Sequence, residues 1–141
     1  MDGNCFYSAM SLLLDFKGCK NVSYLRNKNA LYFIRHIKTY KSFLTQSFEK
    51  ELVVFLGNGQ WASHLQMECF CKAFNVRLEV WQHPSGIPKR VKLQTPYALK
   101  ELLRLLGKKK TGKLVLNPGG KKRVRILHVN ENHFMALCPV S

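Results

Sequence analysis

Cys5 stands where an Asp2-Gly3-Asn4 turn runs into an apolar helical pattern, and Asn132-His133-Phe134 lies almost at the other end of the chain. A thiol at a helix N-terminus, met in space by a histidine from elsewhere in the sequence, is the layout of a thiolate nucleophile and its base. The helix dipole and the orphan N–H groups of the first turn lower a thiol's pKa, and the same donors can hold an oxyanion. Gly3 lets the backbone approach closely, while Asn4 and Cys5 can present N–H groups to that oxyanion. A buried helical cysteine is the ordinary alternative for Cys5; the turn ahead of it favours the nucleophile. Among the five histidines, His36 and His64 fall within helical patterns and His83 within a turn. His128 lies in a strand pattern and is the main rival to His133. His133 is preferred as base because it follows the loop Asn130-Glu131-Asn132 and precedes an apolar strand, a context that holds an imidazole at the rim of a sheet.

These residues carry a family resemblance. Asp2-Gly3-Asn4-Cys5 followed by Phe6-Tyr7-Ser8-Ala9 resembles the nucleophile motif of the OTU (ovarian tumour) cysteine proteases, which are mostly deubiquitinases. Trp61-Ala62-Ser63 followed by Leu65-Gln66 resembles the tryptophan block that opens the family's central helix, and Asn132-His133-Phe134 resembles its histidine block. The three blocks come in family order and span nearly the whole chain. The resemblance implies a papain-type α+β fold, with a small sheet packed against helices. It implies Cys5 and His133 as catalytic residues, and Gly3, Asn4, Trp61 and Asn132 around the oxyanion hole or substrate channel. The activity implied is removal of ubiquitin, or a ubiquitin-like modifier, from lysine, with no metal or organic cofactor. Trp61 is expected to shape the core beside the site, and Asn58, Gly59 and Gln60 to border the channel.

The sequence departs from the family at one position. Many members carry an acidic or amide residue two positions after the histidine, where this chain has Met135. A thioether cannot orient an imidazole. Asp2 is the first substitute, Asn132 the second, and a Cys5–His133 dyad the third. Two other readings stay open. One is a viral-type polyprotein-processing protease with the same nucleophile. The other is a non-catalytic OTU-like module that binds ubiquitin or nucleic acid. Met135 favours it, and so does the basic charge, because ubiquitin's own tail is basic.

Composition bounds the rest. The 141 residues suit one domain, 1–141, and a hydrophobic fraction of 46% supports a packed core rather than disorder. No apolar run reaches the length of a membrane span. No secretory leader precedes the motif, and only Met1 stands before Asp2, so the natural chain is expected to extend upstream. Five cysteines, an odd number, argue for reduced thiols in a cytoplasmic or nuclear setting. The compact basic form fits a viral, effector or mobile-element protein, acting as a monomer. Cys69 and Cys71 have the wrong spacing for a zinc knuckle and read as small buried hydrophobes. The net charge of +15 concentrates in Lys108-Lys109-Lys110 and in Lys121-Lys122-Arg123 with Arg125. These clusters are either a solvated face flanking a hairpin or a weak, secondary site for RNA and other polyanions.

Periodicity places the elements. Phe6, Ala9, Met10, Leu13 and Leu14 predict a helix over 5–14, stopped by Gly18. Further helices are predicted over 29–40, 46–56, 61–74, and from Pro96 to Leu106. Alternation predicts a strand over 76–81, returning after a turn as a second strand over 88–93. Strands over 114–116 and 124–129 are joined by Asn117-Pro118-Gly119-Gly120, and 134–137 forms a last short strand. Helices first and strands later argue for an α+β domain.

Overall fold

A computed structural model describes residues 3–14, 21–82, 91–93, 112–128 and 134–139. Among the described residues five α-helices come first: α1 (Cys5–Leu14), α2 (Val22–Arg35), α3 (Ile37–Tyr40), α4 (Phe48–Leu56) and α5 (His64–Ala73). Five strands follow: β1 (Val76–Trp81), β2 (Val91–Leu93), β3 (Lys113–Leu116), β4 (Lys122–His128) and β5 (Phe134–Pro139). The α+β expectation holds. The helix predicted over 96–106 and the stop at Gly18 lie outside the described residues.

Side-chain caps set helix boundaries that periodicity misplaced. Asn21 Oδ1 accepts from the N–H of Ser23 at 2.7 Å, so α2 begins at Val22 rather than near Asn29. Ser63 Oγ accepts from the N–H of Gln66 at 3.2 Å and starts α5 at His64. Trp61 therefore lies ahead of the helix it was expected to open. Ser47 caps α4 in the same way, with Glu49 and Glu51 in its first turn complementing the helix dipole.

The strands form one mixed sheet in the order β2-β5-β4-β1-β3. β1 runs parallel to β4 and antiparallel to β3, so Leu78 lies between Val124 and Leu116. The turn residues predict β3 and β4 as neighbours and β2 as the return of β1. Instead β1 inserts between β3 and β4, and β2 pairs with β5 at the far edge. Asn117 makes this crossing possible. Its backbone adopts φ +51°, and its amide donates to the carbonyls of Cys71 and Val76 at 3.1 and 3.0 Å.

α1 packs on one face of the sheet. Phe6, Tyr7 and Met10 are fully buried with Phe70, Leu78, Ile126, Phe134 and Ala136. Phe6 meets Phe70 and Phe134 edge to ring at centroid distances of 5.4 and 6.0 Å. Each such buried side chain contributes roughly 2 kcal/mol. A second cluster, with Ala30, Phe33, Tyr40, Phe55 and Cys69, joins the remaining helices. The core thus fixes α1, whose first residue is Cys5, against β5.

The opposite face of β1 and β4 carries charge. Glu79 is buried, accepting from Arg125 Nε at 3.0 Å and from Arg77 Nε at 3.2 Å. Burial raises its carboxyl pKa, but those hydrogen bonds and the nearby Lys113 charge outweigh it and hold it below the ordinary value. A carboxylate depressed in the folded state stabilises above its unfolded pKa, and that contribution is lost as pH falls through the folded pKa. Glu79→Gln is expected to cost roughly 1–3 kcal/mol at neutral pH. Urea unfolding of both proteins should show the gap closing as pH drops into the acid range. A pH-independent gap would show that the charge of Glu79 contributes nothing.

Candidate active site

Gly3 and Asn4 form a turn, and the N–H of Ser8 donates to the Asn4 carbonyl at 2.8 Å, opening α1. Cys5 is the first helical residue and is partly exposed. Its N-terminal position puts it among helix N–H groups that have no intrahelical acceptor. The N–H of Phe134 donates to Cys5 Sγ at 3.4 Å. Phe134 is the residue that follows His133 in the chain. A segment more than a hundred positions away in sequence therefore meets the thiol at the position next to the proposed base.

His133, Asn132 and Asp2 lie outside the described residues. The rival His128 stands opposite Phe134 in the sheet, its ring stacked on the Phe134 ring at 4.7 Å. His36 stacks on Tyr32, its Nδ1 2.9 Å from the Tyr32 carbonyl oxygen. Burial pushes the thiols of Cys69 and Cys71 up to about 12. They are core residues and would stay protonated near neutral pH. Cys5 differs from both in its partial exposure and helix-initiating place.

The turn ahead of Cys5 is clamped to the loop that follows α4. A Cβ on Gly3 would sit 1.8 Å from the Gly59 carbonyl oxygen, so only glycine fits there. Asn4 Oδ1 accepts from the Gly59 N–H at 3.0 Å, and Asn4 Nδ2 donates to Asn58 Oδ1 at 2.7 Å. Asn58 and Gly59 do lie beside the nucleophile turn, as expected of a bordering loop. The Asn4 side chain, however, is committed to holding that loop. Trp61 is 38% exposed and is not part of the core, contrary to its expected packing role.

Sequence reading missed Arg26. It is 1% exposed and lies on the inner face of α2. Its guanidinium donates to the carbonyls of Gly3, Val54, Phe55 and Gln60 and to Asn4 Oδ1. The signal was present: Arg26, Asn29, Ala30 and Phe33 share helical spacing, but starting α2 near Asn29 hid it.

Met135 is buried in β5 opposite Leu127 and supplies no polar group two positions after His133. If the imidazole is oriented by a hydrogen bond, Asp2 is the first candidate and Asn132 the second. Asp2→Ala is expected to lower turnover by up to about four decades, as loss of the orienting group does in catalytic triads. Asn132→Ala should lose less. Near wild-type rates in both variants would define a dyad.

With this geometry in place, relatives give it a class. A family model described as OTU-like cysteine protease matches residues 1–111, and the chain belongs to that family. It is 24% identical over 119 residues to the ubiquitin thioesterase otu2 of Schizosaccharomyces pombe (strain 972 / ATCC 24843), covering 75% of this chain. The chain spans 40% of that relative's length. In fold it is similar to the OTUD1 OTU domain, with TM-score 0.69 and 16% identity over 96% of this chain and 79% of that one. It is also similar to an OTU deubiquitinase from Wolbachia pipientis wMel bound to ubiquitin, with TM-score 0.68 and 13% identity over 98% and 91% of the two chains.

Proposed function

We propose that this chain is a cysteine isopeptidase that releases ubiquitin, or a ubiquitin-like modifier, from lysine. The observation that carries the proposal is the Phe134 N–H on Cys5 Sγ at the start of α1. It brings the segment following His133 to a partly exposed thiol. The family and the likeness to the ubiquitin-bound Wolbachia enzyme support ubiquitin as the partner.

In this mechanism Cys5 Sγ, its proton taken by His133, attacks the carbonyl carbon of the modifier's terminal glycine. The carbonyl oxygen becomes an oxyanion, held by backbone N–H groups of the turn and the first turn of α1. Collapse breaks the C–N bond, and His133 protonates the departing lysine amine. Water, deprotonated by His133, then attacks the thioester. The free carboxylate leaves and the thiol is restored. Asp2 orients the imidazole.

Hydrolysis of ubiquitin–lysine isopeptide bonds by the purified chain tests this reading. Release of ubiquitin supports it, and binding of ubiquitin without release would favour the non-catalytic module that the buried Met135 suggests. The exposed Lys121, Lys122 and Arg123 support a weak, salt-sensitive affinity for polyanions as a secondary property. Arg125 contributes less to it, because it is paired with Glu79.

A further inference from the structure

We propose that Arg26 is a positioning residue for the reaction at Cys5, holding the nucleophile turn in register through Asn4. The inference rests on the reading of Cys5 as the nucleophile. The buried guanidinium spends its donors on two separate segments. Nη1 reaches the Val54 and Phe55 carbonyls at 3.2 and 3.1 Å, in the last turn of α4 where helical carbonyls lack intrahelical donors. Nη2 reaches Asn4 Oδ1 at 2.9 Å and the Gly3 carbonyl at 3.4 Å, and also donates to the Gln60 carbonyl. Nε reaches Asn4 Oδ1 at 3.1 Å.

Asn4 Oδ1 thus collects three donors, two from Arg26 and one from Gly59. The guanidinium also lies over the Tyr7 ring at 4.4 Å, in the first turn of α1. The residue before the nucleophile, and the helix after it, are therefore gripped by one rigid group. A planar fork with donors in fixed directions can do this, whereas a lysine ammonium on a flexible stem cannot reach all these acceptors at once. Reaction at a thiolate depends on its placement, and a shift of about 1 Å costs on the order of a hundredfold in rate. Among the described residues the guanidinium bonds to the turn, to α4 and to the loop after it, so its effect on the reaction is expected to pass through the turn.

The test compares wild type, Arg26→Lys, Asn4→Ala and the double variant in ubiquitin–fluorophore hydrolysis, with circular dichroism reporting the folded fraction. Hydrogen exchange read by mass spectrometry runs alongside. Arg26→Lys is expected to lower kcat about a hundredfold per folded molecule, with KM changed less than about threefold. Asn4→Ala should lose a similar factor. The double variant should fall little below the worse single one, because both cut the same connection. Exchange should quicken in peptides covering Gly3–Cys5 and residues 57–60, and not in β1 or β4. Unchanged kcat per folded molecule, additive losses, or uniformly faster exchange would each overturn the proposal. Should Arg26→Lys not fold, Asn4→Ala is compared with Asn58→Ala, which removes only a loop bond of Asn4; a loss in Asn4→Ala no larger than in Asn58→Ala would overturn the proposal. A wild type that hydrolyses nothing defeats the isopeptidase reading alone. The exchange data then decide whether Arg26 ties the two segments together, and no local change would overturn that tie.

Discussion

Cys5→Ala is expected to abolish turnover of a ubiquitin–fluorophore substrate, a loss of four decades or more, on the order of what removal of a protease nucleophile costs. Stability should change by less than about 1 kcal/mol, because Cys5 is partly exposed and the Phe134 N–H bond to its sulfur is weak. Cys5→Ser should be nearly as inactive. A serine hydroxyl stays protonated beside the same base, where a thiol at a helix start becomes thiolate. Steady-state rates and melting curves of the three proteins check this together. Retained hydrolysis in Cys5→Ala would move the nucleophile elsewhere. Cys69 and Cys71 are poor substitutes with thiols pushed up to about 12, so Cys19 and Cys138 would be examined first.

Gly3→Ala should be damaging in a different way. The three atoms nearest its Cβ would all be backbone: the Gly59 oxygen at 1.8 Å, the Gly59 carbon at 2.5 Å and the Gln60 carbon at 2.6 Å. No side chain can swing aside to relieve that contact. The nucleophile turn must part from residues 57–60, stretching the Asn4 hydrogen bonds to Gly59 and Asn58. Overpacking of this kind costs roughly 1–3 kcal/mol, and a displaced turn costs on the order of a hundredfold in rate. Gly59 differs: its φ of +81° needs glycine for conformation, yet a Cβ there meets nothing within 4 Å. Gly59→Ala should therefore lose less activity than Gly3→Ala when both are measured as kcat/KM alongside melting temperature. Wild-type kinetics in Gly3→Ala would mean that the close approach at Gly3 has no bearing on the site.

Local signals were legible where one element's own residues decide its form. The apolar spacing of Phe6, Ala9, Met10 and Leu13 marks α1, and the alternation from Val76 to Trp81 marks β1. The place of Cys5 at the start of a helix followed from the same pattern. What sequence did not show depends on partners far apart in the chain. Asn117 reads as a hairpin turn, but its amide holds two carbonyls near β1, and β1 takes the place between β3 and β4. The start of α5 is the exception: a local cap, Ser63 to the N–H of Gln66 three residues on, leaves Trp61 outside the helix against the apolar pattern. Arg26 shares the helical spacing of the buried face of α2, but a charged side chain in a basic sequence reads as solvated surface. Only the convergence of four carbonyls and Asn4 shows that it is buried for a purpose.

In the proposed function Cys5 is a nucleophile directed at the C-terminus of ubiquitin. Incubation with ubiquitin carrying a C-terminal electrophile, read by intact mass and peptide mapping, tests it most directly. A single covalent adduct on Cys5 is expected in the wild-type chain and none in Cys5→Ala. An adduct that persists in Cys5→Ala, or a folded wild-type chain whose Cys5 is alkylated by iodoacetamide yet ignores the ubiquitin probe, would contradict it.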